Sequence, residues 1–232
     1  MLAIRDRERS RNETMKKAAE MQEQRQGANE EVTTVEFRTE TPEMFEFVLQ
    51  EGFQVSCVDN CSIREFLCLQ LELCGDYTEK NIQTIFLNGK SVDGVDTATL
   101  RENDILALSA AMPGLVGAAM RKQGFFAKMR HSISHEGEAD NDIEEEGKPC
   151  LVTVKLFNLL SRDLARDFLR HGLRFPMERF RTLIERRPKS FFSRLNEVIV
   201  NNERLRAPMD LAGSLPPSPG TVQLRLLEME GC

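Results

Sequence analysis
Short runs of apolar residues set among polar ones divide this chain into predicted elements. In VTTVEFRTE, Val32, Val35 and Phe37 stand among polar neighbours, which predicts a strand. Pro42 and MFEFVLQ lead to Gly52, and FQVSCV predicts a second strand. CSIREFLCLQLEL places Ile63, Phe66, Leu67, Leu69, Leu71 and Leu73 on a broad apolar face, which predicts a helix capped by Asp59 or Asn60 and ended by Gly75. IQTIFLNGKSV reads as strand, tight turn and short strand, because Asn88 and Gly89 accept positive φ at low cost. A turn over Glu102–Asp104 then precedes a last strand, Ile105–Ser109.

The pattern recurs after residue 150. LVTVKLFN predicts a strand, Phe168–Gly172 stands where Phe47–Gly52 stood, and PMERFRTLIERR predicts a helix with Pro176 near its first turn. VIVNNERL puts Asn201-Asn202 in the place of Asn88-Gly89, and Thr221–Glu228 matches the DILALSAA strand. The prolines of PMDLAGSLPPSPG predict little regular structure between them. The expected fold class is therefore α+β, with two tandem β-grasp (ubiquitin-like) units, each a mixed sheet wrapped around one helix. The second unit could also be another small α+β domain.

Charge sharpens the division. Residues 1–31 carry seven bases and seven acids with few large apolar side chains, and are expected to be disordered or a frayed helix. Residues 32–110 hold 14 acids and 5 bases, and residues 151–206 hold 13 bases and 6 acids. Between them, 115–135 is a basic apolar connecting segment and 136–149 an acidic linker. The expected units are 32–114 and 150–232. Opposite charge on the two halves suits either mutual docking or separate partners. No apolar run approaches the ~20 residues of a membrane span, and the N-terminal residues lack a signal sequence's apolar core, so a cytoplasmic location is expected.

Asn88, Gly89, Lys90, Val92, Asp104, Ala107, Leu108 and Gly114 carry a resemblance over residues 32–117 to the sulfur carriers of the thiamine and molybdopterin pathways. The resemblance implies a β-grasp fold and, in that family, a free C-terminal Gly-Gly that is adenylated and then becomes a thiocarboxylate. Here Met112-Pro113-Gly114-Leu115-Val116-Gly117 has no Gly-Gly, and neither does Met229-Glu230-Gly231-Cys232. The sulfur-carrier chemistry would require processing of the tail.

Candidate chemistry is sparse. The six cysteines are expected to be reduced thiols rather than disulfides. The spacings of Cys57, Cys61, Cys68 and Cys74 do not match a ferredoxin cluster site, and core packing is the expected use of Cys61 and Cys68. His131 and His135, four apart, are expected to be polar residues on an exposed segment; the alternative is that they join Cys57 and Cys61 around a metal. No nucleophile triad, phosphate loop or dinucleotide fingerprint is present, so no catalytic residue and no cofactor are expected. The segment around Met112, Pro113, Gly114, Leu115, Arg121, Lys122, Phe125 and Phe126 is apolar and basic, without an acid, which suits a partner surface. Arg179, Arg181, Arg186 and Arg187 could line a nucleic-acid face, or one that is simply solvated. The expected function is a non-catalytic protein-binding or adaptor protein. The alternatives are a sulfur carrier or accessory in molybdopterin- or thiamine-type cofactor biosynthesis after tail processing, and a nucleic-acid- or metal-binding module.

Overall fold
The computed structural model describes residues 31–73, 75–110, 112, 114–122, 124–125, 148–217 and 219–228. The N-terminal extension and the acidic linker lie outside them, apart from residue 31 and residues 148–149. The strands are β1 Val32–Arg38, β2 Phe53–Val58, β3 Cys61–Ser62, β4 Thr84–Leu87, β5 Lys90–Ser91, β6 Thr99–Leu100, β7 Ile105–Ser109, β8 Pro149–Phe157, β9 Leu173–Pro176, β10 Glu197–Val200, β11 Glu203–Arg204 and β12 Thr221–Leu226. The architecture is mixed α+β, as expected.

The chain folds as two compact units, divided differently from the expected tandem. One contains Ser56–Asn158. The other contains Asn29–Val55 together with Leu159–Cys232. β8, read from the sequence as the first strand of the second half, belongs to the first unit. β1, read as the first strand of the first half, belongs to the second. Alternation predicts which faces of a strand are buried and not which strand lies beside it, so the exchange leaves no mark in the pattern.

In the first unit the sheet runs β8-β7-β4-β5. β7 and β8 are parallel, with Leu106 opposite Val154 and Leu108 opposite Leu156. β4 is antiparallel to β7 and to β5. Cys150, Val152, Val154 and Leu156 alternate inward along β8 against Leu106 and Leu108. The β4–β5 connection is the expected Asn-Gly turn, with φ of 50° at Asn88 and 80° at Gly89. The end of β2 lies beside the start of β8, where the Asp59 amide donates to Lys148 O at 2.8 Å.

The helix of this unit starts later than the apolar pattern suggests. Cys61 and Ser62 pair with Leu100 and Thr99, and Asn60 turns with φ of 60°. Ser62 is the cap: its Oγ accepts from the Glu65 amide at 3.1 Å, and Glu65 Oε2 accepts from the Ser62 amide at 2.9 Å. This capping box was present in the sequence as Ser-Ile-Arg-Glu. The α-helix Ile63–Glu65 continues as a π-turn over Phe66–Gln70, and Gly75 opens a further helix, Gly75–Asn81, rather than ending the first.

In the second unit the order is β11-β10-β1-β12-β9. β1 is parallel to β12 (Val35 opposite Leu224) and antiparallel to β10 (Val35 opposite Val200). β9 is antiparallel to β12. Asn201 and Asn202, with φ of 48° and 67°, make the β10–β11 turn. Gly52 and Gly172 have φ of 90° and 102° after equivalent helices, Glu46–Glu51 and Ala165–His171. Both positions need a residue without a Cβ. Phe53 meets Phe168 edge-on at 5.3 Å, and Phe37 stacks on Phe45 at 4.3 Å. The Pro-rich segment is more ordered than expected, with a 3-10 turn Pro208–Asp210 and a helical turn Leu211–Ser214.

Phe168 is fully buried in this aromatic cluster. Truncation would remove its transfer energy and leave a cavity, so Phe168→Ala should cost about 3–5 kcal/mol in urea unfolding. A loss below about 1 kcal/mol would contradict this packing.

Candidate functional site
A concavity in the first unit lies where the start of β4 meets the segment after β7. It encloses about 460 Å³ and is lined by Gln83, Thr84, Met112, Gly114, Gly117, Ala118, Arg121, Lys122, Gly124 and Phe125. Backbone and side-chain hydrogen bonds build it. The Lys122 amide donates to Gln83 O at 2.7 Å, the Gln83 amide donates to Ser109 O at 3.1 Å, and Arg121 Nη2 donates to Gln83 Oε1. The helix Gly114–Met120 forms one wall. Gly117 is required there, because a Cβ would lie 1.9 Å from Met112 O.

Two polar residues that line the cleft stand out. Thr84 is 1% exposed, and among the described residues its Oγ1 has no hydrogen-bond partner. An unpaired buried hydroxyl costs about 1–3 kcal/mol. Lys122 is half-buried, and burial holds its amine below the ordinary lysine value of 10.5. Arg64 adds to the lowering, and Glu79 and Asp96 oppose it. Among the described residues its ammonium has no ion-pair partner; Glu79 and Asp96 instead pair with Arg64. Leu115, Val116 and Phe125 are exposed, Phe125 by 91%.

Of the predicted partner-surface residues, Met112, Gly114, Arg121, Lys122 and Phe125 line this cleft, and Leu115 is on the adjoining helix. Pro113 and Phe126 lie outside the described residues. Gln83, Thr84, Gly117, Ala118 and Gly124 were not among the predicted residues. Thr84 in particular reads as an ordinary strand threonine. Gly114 and Gly117, the glycines a processed carrier tail would expose, belong to the helix Gly114–Met120.

The cysteines gather elsewhere in the same unit. Cys57 Sγ lies 2.9 Å from Cys150 Sγ, and Gln70 Nε2 donates to Cys61 Sγ at 3.2 Å. Cys57, Cys61 and Cys150 are buried free thiols. Hydrogen bonds with Cys150 and Cys61, with burial, push the Cys57 thiol far above its ordinary value. The Cys61 thiol is lowered by its bond with Cys57, although burial opposes this. Among the described residues no group of three or more His, Cys, Asp or Glu is arranged to hold a metal ion. His131 and His135 lie outside the described residues.

The arginine row of the second half is largely occupied within its own unit. Arg181 donates to the carbonyls of Ala212, Leu215 and Pro216, Arg179 pairs with Glu51, and Arg187 stacks 4.0 Å over Phe47. These contacts compete with the phosphate-binding role considered for them. Among the described residues no helix is long and apolar enough to cross a membrane. The chain matches no protein-family model, no curated protein and no solved structure.

Thr84→Val replaces the unpaired hydroxyl with a methyl of similar shape. The free protein should gain about 1 kcal/mol in urea unfolding. A loss of that size would mean that the hydroxyl is already satisfied without a ligand.

Proposed function
We propose that this chain is a non-catalytic protein-binding module, and that the cleft between β4 and the 112–125 segment takes a carboxylate-bearing, apolar stretch of a partner protein. The observation that carries the reading is the pairing of Thr84 and Lys122. Among the described residues, Thr84 has a buried hydroxyl without a partner and Lys122 a partly desolvated ammonium without a counter-ion, and both residues line the same hollow. Both groups gain when a carboxylate enters, one a hydrogen bond and the other a charge. Met112 and Phe125 supply apolar contact, and the volume suits a side chain or chain terminus rather than a folded domain.

The accompanying fold reading is a pair of β-grasp units, each completed by a strand from the other half of the sequence. Three features support it: a parallel pair within each sheet, a helix after the second strand, and matching positive-φ turns at Asn88-Gly89 and Asn201-Asn202. The sulfur-carrier alternative has less support, because it needs an extended glycine tail where a helix stands.

Peptide display against the full chain tests the binding reading. Selected peptides should be enriched in Asp, Glu or a free C-terminus beside aliphatic residues. Lys122→Met should weaken them about tenfold, Thr84→Val should weaken them while stabilising the free protein, and Lys90→Met should leave them unchanged. Binding should also fade as pH rises through the lowered Lys122 value, because the ammonium is lost earlier than that of an ordinary lysine. Peptides without acidic bias, or insensitive to Lys122→Met, would overturn the proposal.

A further inference from the structure
We infer that Cys57 and Cys150 are a reversible disulfide site that fastens β8 to the end of β2. The two sulfurs are 2.9 Å apart, less than 1 Å longer than the ~2.05 Å of a disulfide bond. The strands are already held at this point by the Asp59 amide to Lys148 O bond, so little backbone movement is needed. Cys57 is next to last in β2 and Cys150 is second in β8. Both are buried, yet strand ends open locally more readily than strand centres.

The oxidant is a low-molecular-weight disulfide, RSSR. One cysteine thiolate attacks a sulfur of RSSR, forming a protein–SR mixed disulfide and releasing one thiolate, RS⁻. The second cysteine thiolate attacks the protein sulfur of the mixed disulfide, forming the Cys57–Cys150 bond and releasing the second RS⁻. The two cysteine protons pass to the leaving thiolates. The protein loses two hydrogens, and RSSR is reduced to two RSH.

The bond would close the chain over the 93 positions that separate the two cysteines. That span contains β3 to β7 and the whole lining of the cleft. Closing a loop of this length restricts the unfolded chain strongly. β8 is the strand that the second half of the sequence contributes to this sheet, so oxidation would hold it there.

The full-length protein should be incubated at neutral pH in glutathione disulfide/glutathione buffers of graded ratio, then acid-quenched, alkylated, and analysed by intact mass and peptide mapping. The expected product is a Cys57–Cys150 cross-link that increases with the oxidised share and disappears on adding dithiothreitol. Its melting temperature should rise by roughly 10 °C. Cys61→Ala should still form the link; Cys150→Ala should form none and show no oxidation-dependent shift. If Cys150→Ala does not fold, the peptide map of the unaltered chain decides. Absence of the link in the most oxidising buffer would overturn the inference. So would a dominant Cys57–Cys61 link, or glutathione adducts without the link.

Discussion
Each sheet depends on a parallel pair whose members come from distant parts of the chain. β7 lies beside β8, and β1 beside β12. Parallel neighbours cannot be joined by a tight turn, so each pair needs a long connection, and its closure entropy is lost before any ladder bond is gained. Burial offsets this cost. Val152, Val154 and Leu156 meet Leu106 and Leu108 in one unit, and Val35 and Phe37 meet Leu224 and Leu226 in the other. Such pairings are slow to find.

Both chemical features of the first unit follow from this arrangement. Cys150 reaches Cys57 only because β8 sits in that sheet. The cleft forms because β7 runs antiparallel to β4: Ser109 O then meets the Gln83 amide, and Gln83 O holds the Lys122 amide where the chain returns. Lys122 and Thr84 are thereby fixed in one hollow without either serving the other. Glu79 and Asp96, the acids whose charge acts on Lys122, pair with Arg64.

Local structure was largely legible in the sequence. Apolar alternation located β1, β2, β4, β7, β8, β10 and β12, and the Asn pairs located two turns whose positive φ few other residues accept. Gly52 and Gly172 marked equivalent bends. Neighbour relations were not legible, because alternation specifies faces and leaves partners open. The apolar pattern extends the helix back over Cys61 and Ser62, whereas their backbone pairs with Leu100 and Thr99. Half of the cleft was visible as a basic apolar segment. The other half, Gln83 and Thr84, carried no signal, because an unpaired hydroxyl is a property of its surroundings. Cys150 was likewise unremarkable until β8 was placed beside β2.

The strand exchange is tested most directly by backbone nuclear Overhauser contacts in the full-length labelled protein. The account predicts cross-strand contacts between the Leu106 and Val154 regions, and between the Val35 region and both Val200 and Leu224. Contacts from Val35 to β7, together with contacts from Val154 to β12, would instead describe two contiguous tandem units and would contradict it.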